Sequence, residues 1–525
     1  MVRNTPAPPK GRRPNILFIM ADDHAAKAIG AYGAGINKTP HIDRLAREGM
    51  LFNHCYVTNS ICTPSRAAIL TGTHNHVNAV RTLDNKIDNW MPNVAKHLKY
   101  AGYQTAMIGK WHLGEGKAHE PTGFDHWSVL PDQGVYYDPV FIEPHGQEVV
   151  VGYVTDIITD KTIDFISNRD ANKPFFIMCH HKAPHRSWEY KRTHKDLYRD
   201  EIKLPDTLTD DYKHRASAAK AAKMRVAEDM TFFDLGLVQP EGGSEVGELI
   251  GSMGDVRKIP FPEDVSNMVL IDRDTGTNYR FKDREELRRF KYQRYMQRYL
   301  RCVHSIDENV GRLLDYLDSS GKDVVNNTLI MYTSDQGFFL GDHGWFDKRF
   351  MYEESFQMPL LARFPREISP GIICNDIVSN VDFAPLWLDL AGHPIPSYMQ
   401  GFSFRPLLHG QRPKGWQKVA YHRYWMHNDS PHECRAHYGV RNQRYKIIYW
   451  YNLDYGLPGT RPGGEPPEWE LFDCQGDPLE LMNQYDNPDY AEVVKEMTTL
   501  LDEKMLQIGD IPEHGRLRPA LASPT

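Results

Sequence analysis

The stretch Asn15-Ile16-Leu17-Phe18-Ile19-Met20-Ala21-Asp22-Asp23-His24 decides the fold class. Its first half is a short, nearly continuous apolar run, the pattern of a strand buried on both faces of a sheet. The run breaks at once into two carboxylates. Ligand sites in open α/β sheets lie outside the carboxyl ends of strands, so this strand delivers Asp22 and Asp23 to the edge where chemistry is done. Adjacent acids there repel each other unless a cation lies between them.

Working outward, three more runs end in chemistry-bearing residues. Thr105–Ile108 leads into Gly109-Lys110-Trp111-His112-Leu113-Gly114. If that segment stays extended, Lys110 and His112 point to one side. Phe175–Cys179, opened by Lys173-Pro174, leads into His180-His181-Lys182-Ala183-Pro184-His185. Thr328–Tyr332 leads into Thr333-Ser334-Asp335-Gln336-Gly337. Helical spacing fills the intervals at Pro40–Ala46, Asn93–Tyr100, Asp156–Arg169, Arg284–Leu317 and Val381–Ala391. The pattern predicts an α/β fold with a large central, mixed but mostly parallel sheet flanked by helices. Asp22, Asp23, Asp335 and Gln336 form an all-oxygen set of the kind that suits Ca²⁺, with Mg²⁺ or Mn²⁺ as alternatives.

A different signal sits at Ile61-Cys62-Thr63-Pro64-Ser65-Arg66-Ala67-Ala68-Ile69-Leu70-Thr71-Gly72. Pro64 suits the first turn of a helix. Cys62 then lies at the helix N-terminus, where free N–H groups favour an anion, and Arg66 returns to the same face one turn later. Cys-x-Pro-x-Arg followed by Ala-x-x-x-Thr-Gly resembles the signature of the type I sulfatases, and Gly-Lys-Trp-His-Leu-Gly resembles their second motif. The resemblance runs through five separated motifs and covers nearly the whole chain.

That resemblance implies an alkaline-phosphatase-like fold and a sulfuric ester hydrolase. It implies that Cys62 is oxidised to Cα-formylglycine (3-oxoalanine) by a formylglycine-generating or other sulfatase-modifying enzyme. Asp22, Asp23, Cys62, Asp335 and Gln336 are the implied metal set, although relatives carry Asn or His where Gln336 stands. The implied catalytic set is Cys62, Arg66, Lys110, His112, His185 and Lys348. In this scheme a hydroxyl of hydrated formylglycine attacks sulfur, Arg66 and Lys110 hold the sulfuryl charge, and His185 with Lys348 assists the departing oxygen. His112 then takes a proton so that sulfate is expelled. A phosphodiesterase or phosphonate monoester hydrolase of the same superfamily, and a non-catalytic sulfated-glycan-binding protein, are the competing readings. Aryl sulfate and sulfated carbohydrate both fit as substrates, with a lean toward carbohydrate.

Composition fits this reading. The 525 residues are 41% hydrophobic and 25% charged with net charge −7, ordinary for a globular enzyme and against a nucleic-acid binder. No apolar run reaches the roughly eighteen residues needed to span a membrane. Seven scattered cysteines, with no paired spacing and no signal peptide in Met1–Pro14, predict a cytoplasmic protein, or a periplasmic or secreted one if a signal has been removed. Self-association stays open. The expected organisation is a flexible arm over residues 1–14, a catalytic domain over 15–415 with a loop-rich insertion near 186–285, and a C-terminal antiparallel-sheet and helix subdomain over 416–525. Within the insertion, residues 216–227 are expected to form a short helix, and 242–254 are glycine-rich. The basic residues of the helix after it (Arg288, Arg289, Lys291, Arg294, Arg298, Arg301) are expected to form a solvated face.

Overall fold

A computed structural model of the protein describes residues 12–238 and 263–515. Most of the predicted N-terminal arm and the glycine-rich stretch 242–254 lie outside the described residues. Ten strands build the central sheet: β1 (Asn15–Ala21), β2 (Met50–Phe52), β3 (Gln104–Lys110), β4 (His126–Leu130), β5 (Val140–Glu143), β6 (Gly146–Val149), β7 (Phe175–His180), β8 (Thr328–Ser334), β9 (Leu360–Arg363) and β10 (Ile372–Cys374). Their spatial order is β10-β2-β9-β8-β1-β7-β3-β4-β5-β6. The middle block from β8 to β4 is parallel, and β9 and β5 run against it.

β1 is completely buried because its side chains alternate between two cores. Ile16, Phe18 and Met20 face one layer with helices α2 (Cys62–Thr71), α3 (Val94–Tyr100) and α6 (Phe383–Leu390). Leu17 and Ile19 face the other, with α1 (Pro40–Arg47), α4 (Val154–Asn168) and α5 (Arg284–Ser319). Each such side chain contributes about 1.5–3 kcal/mol on burial. Desolvating each carboxylate beyond the strand costs several kcal/mol, so the sheet supplies the stability that the site consumes.

Register then places the chemistry. Ala21 pairs with Ser334 and Met20 with His180, while Gly109 also pairs with His180. The residues following these positions, Asp22, Asp335, His181 and Lys110, therefore emerge at neighbouring carboxyl ends. Gly109 has φ +100°, and a Cβ there would sit 2.0 Å from the His180 carbonyl oxygen. Only glycine brings β3 this close to β7.

The C-terminal sheet is an antiparallel meander of β11 (Ala420–Tyr424), β12 (His437–Arg441), β13 (Tyr445–Trp450) and β14 (Glu468–Asp473). Helix α7 (Ala491–Ile508) covers one face through Met497, Leu501 and Met505. The other face, with Tyr424, Ile448, Trp450 and Phe472, joins the core of the catalytic layer.

Two expectations change. The short helix at 216–227 covers only Ser217–Ala221. The basic half of α5 is a solvated face only in part: Arg289 is exposed and Arg288 half-buried, but Lys291, Arg294, Arg298 and Arg301 are buried. Arg294 pairs with Asp272 at 2.7 Å and Arg298 with Asp274 at 2.7 Å. Arg298 also donates to the Trp188 carbonyl (3.0 Å) and Arg301 to the Leu197 carbonyl (3.0 Å). The insertion lies over this stripe, and its carbonyls and aspartates satisfy the guanidiniums that bind it. No helix among the described residues is long and apolar enough to cross a membrane.

Candidate active site

All ten residues singled out from the sequence converge on one buried cleft. Helix α2 begins at Cys62 itself. The thiol lies 3.4 Å from Oδ1 of Asp22. Burial, and then the Asp22 carboxylate, push that thiol well above the ordinary range, so as a thiolate nucleophile it is suppressed. Arg66, one turn on, donates to Oδ2 of Asp335 through Nε (3.1 Å) and Nη2 (2.9 Å), and through Nη1 to the Lys110 carbonyl (2.8 Å). Its Nη2 is also 3.5 Å from Asp22.

Asp22, Asp23 and Asp335 are completely or almost completely buried, with carboxylate oxygens within 4.8 Å of one another. Lys110 Nζ contacts Asp22 Oδ2. Lys348 Nζ donates to both Asp23 oxygens, at 2.6 and 2.7 Å. Burial pushes Asp23 up to about 6 against the pull of Lys348. Burial, helped by Asp22, raises Asp335 to about 7 against Arg66. Asp22 goes the other way: burial opposes its charge, but Lys110, with His185, Arg66 and Lys348, holds it well below the carboxylate range. The three acids thus feel each other strongly, as expected where a further cation belongs.

The donor set fits a hard divalent ion. Gln336 donates its Nε2 to Asp23 Oδ1 (2.5 Å), while its buried Oε1 has no hydrogen-bond partner among the described residues. Three carboxylates and an orphaned amide oxygen are ligands for a Ca²⁺- or Mg²⁺-class ion. Arg66, Lys110 and Lys348 already match the three acids in charge. A divalent ion would leave two positive charges in excess, suited to a singly charged sulfate ester plus the charge that develops on a nucleophile.

His112 reaches the cleft by a route other than extended alternation, because its backbone is left-handed (φ +53°). Its Nδ1 lies 3.4 Å from Thr63 Oγ1 and its Nε2 3.2 Å from Gln133 Nε2. Burial, with Lys110 adding, brings it down to about 4, leaving a neutral base. His185 Nε2 lies 3.7 Å from Asp23 Oδ2, and its Nδ1 is 2.6 Å from the Arg186 carbonyl. Of its neighbours, His180 Nδ1 turns to the Lys110 carbonyl (3.3 Å), and His181 Nε2 lies near the Cys179 thiol (3.8 Å). His74 packs edge-on to Tyr421, and His76 contacts the Ile508 carbonyl at 2.9 Å, so both serve the C-terminal interface.

Two groups were not legible beforehand. Gln133 accepts from Lys110 Nζ (2.5 Å) while donating to His112, so one amide ties two site residues together. Asp347, beside Lys348, is held by Arg186 (3.0 Å) and His432 (3.2 Å), and Asp429 binds both His432 (2.8 Å) and Arg349 (3.0 Å). The 429–432 segment of the C-terminal region is thereby locked onto the cleft wall. His422 of β11 receives a hydrogen bond from the Ser60 N–H (3.1 Å), two residues before Cys62.

The Sulfatase family model matches residues 14–393, and a model described as N-sulphoglucosamine sulphohydrolase, C-terminal, matches 341–507. The chain is 43% identical to the N-acetylglucosamine-6-O-sulfatase of Bacteroides thetaiotaomicron over 95% of its own length and 87% of the relative's. It is 28% identical to the human N-acetylglucosamine-6-sulfatase over 77% of this chain and 66% of that one. A solved structure of a protein in complex with its substrate D-glucosamine-2-N,6-O-disulfate superimposes with TM-score 0.84 at 41% identity, covering 96% of this chain and 100% of that chain. The phosphonate monoester hydrolase of Agrobacterium radiobacter, at TM-score 0.66 and 20% identity over 97% of this chain and 100% of that chain, shares the fold.

Proposed function

The chain belongs to the sulfatase family, and within it we propose an enzyme that removes the 6-O-sulfate of a glucosamine or N-acetylglucosamine residue. Sulfate-ester hydrolysis comes with the family. The sugar and the ester position are our reading. It rests on 43% identity with a relative named for N-acetylglucosamine 6-O-sulfate, and on the disulfated glucosamine bound by the similar solved structure.

The observation that carries the mechanism is the meeting of Cys62, Asp22 and Arg66 at the start of α2. The family uses formylglycine and a divalent metal; we assign the former to Cys62 and the latter, as Ca²⁺, to Asp22, Asp23, Asp335 and Gln336. Formylglycine supplies a hydrated aldehyde, hence the second hydroxyl that a thiol lacks. A bound divalent ion supplies charge against sulfate oxygens and favours ionisation of a nearby hydroxyl. Arg66 and Lys110 are fixed, buried cations that hold charge growing on the sulfuryl oxygens without reorganising. Lys348 and His185 flank Asp23 on the side we assign to the departing oxygen. Neutral His112 is poised to accept a proton at its ring once the leaving group has gone.

Gln133 acts through others, as a positioning residue. Gln133→Ala removes one partner each from Lys110 and His112 and is expected to lower kcat about tenfold or more, with a smaller change in KM and an unchanged melting temperature. Wild-type kcat in that variant would remove the role.

The substrate assignment is tested by ion chromatography of released anion from N-acetylglucosamine 6-sulfate, N-acetylglucosamine 3-sulfate, an aryl sulfate, an aryl phosphate and an aryl phosphonate. The 6-sulfate is expected to lead the 3-sulfate by about a hundredfold in kcat/KM, the scale that misplacing the reacting group costs. Equal rates on both sugars would refute the position. Faster phosphonate cleavage would move the protein to the hydrolase reading.

A further inference from the structure

A second cluster of metal-type ligands lies where the insertion crosses α5, sharing no residue with the cleft. His304 and Glu308 stand four residues apart on α5 and so share one face across adjacent turns. His194, in the 3-10 turn Arg192–His194, comes down onto them. His194 Nε2 is 3.1 Å from Glu308 Oε2, and His304 Nε2 is 3.6 Å from Glu308 Oε1. The two imidazole rings meet edge to face with centroids 4.7 Å apart. Both ring nitrogens and a carboxylate oxygen lie within 4.8 Å of one another.

The hydrogen bonding of His194 gives the cluster its meaning. His194 Nδ1 lies 3.1 Å from the Ser305 hydroxyl, which is itself 3.4 Å from the Arg301 carbonyl, so the ring is anchored through Nδ1. Its Nε2 is buried and turned to the Glu308 carboxylate at 3.1 Å. A proton or a metal ion between them satisfies that contact. An imidazole anchored through one nitrogen with the other lone pair presented is the usual arrangement of a metal-binding histidine. Ligand bonds of about 2.0–2.2 Å place ligand atoms roughly 3–3.6 Å apart, which is the spacing of the two contacts above. Lys191 stands 3.7 Å from Glu308 Oε2 but is committed to Asp156 at 2.9 Å. Glu308 and His304 are partly exposed, so an ion has an entry path and room for water ligands.

We propose that His194, His304 and Glu308 bind a transition-metal dication of the zinc class, stapling the insertion to α5. Two imidazoles and one carboxylate are the donor set that prefers such ions to Ca²⁺.

The test uses the full chain, stripped with chelator, reloaded with Ca²⁺ and titrated with Zn²⁺ by calorimetry, with Co²⁺ followed by visible absorption in parallel. Wild type is expected to bind one more Zn²⁺ than His304→Ala, and Glu308→Gln to bind that ion at least about tenfold more weakly. Circular dichroism of both variants reports whether each is folded; Glu308→Gln keeps its shape should His304→Ala not fold. Equal Zn²⁺ stoichiometry and affinity in wild type and a folded variant overturns the proposal. So does the absence of any Zn²⁺ binding beyond the Ca²⁺ site, which would mean an imidazolium–carboxylate pair only.

Discussion

Cys62→Ala is expected to abolish sulfate-ester turnover, by a factor of about 10⁴ or more, while the protein folds as before. The site around it is built for a group at this position. Arg66 and Lys110 are buried; Arg66 donates to Asp335 and to the Lys110 carbonyl, and Lys110 pairs with Asp22. Asp22 is within 3.4 Å of the thiol. Removing one sulfur from a helix start costs about 1–2 kcal/mol at most, since the cavity left behind is small. Activity and melting temperature should therefore separate: turnover vanishes, the melt barely moves. A variant with near-wild-type sulfate release would end the assignment of the nucleophile.

The second large effect concerns the acids. Removal of divalent metal by chelator is expected to cut turnover more than a hundredfold and to lower the melting temperature, with Ca²⁺ restoring both. Asp22, Asp23 and Asp335 are buried within 4.8 Å of each other, and burial pushes Asp23 and Asp335 up to about 6 and about 7 when only the lysines and Arg66 face them. An ion that binds only the folded state stabilises it by about 2.7 kcal/mol at a hundredfold excess over its Kd. Asp335→Asn should lose this response, because Asp335 serves the ion set and Arg66 together. An unchanged melt and unchanged turnover after exhaustive chelation would refute the metal set. The sign of the melting shift is independent of the substrate, so the two halves of the result can be read separately.

Much of this was legible in the chain. Strands that end abruptly in Asp22-Asp23, Lys110, His185 and Asp335-Gln336 announce a parallel sheet with a site at its carboxyl edge, because apolar runs and polar breaks are local signals. Cys62, Pro64 and Arg66 are likewise a local helix-start pattern. What was missed depends on partners distant in sequence. Lys291, Arg294, Arg298 and Arg301 read as a solvated face until Asp272, Asp274 and the carbonyls of Trp188 and Leu197 come over them. The Glu468–Asp473 strand, Glu-Trp-Glu-Leu-Phe-Asp, carries three acids and gains its place only by pairing with Tyr445–Trp450. Gln133 sits in an unremarkable loop, and only the fold sets its amide between Lys110 and His112.

The most direct test is the mass of the peptide spanning Cys62, taken from active protein made in a host that carries the modifying enzyme. Conversion of the thiol to the aldehyde is expected to lower that mass by about 18 Da, with specific activity rising in proportion to the converted fraction. Fully active protein in which Cys62 is an unmodified cysteine would contradict the account.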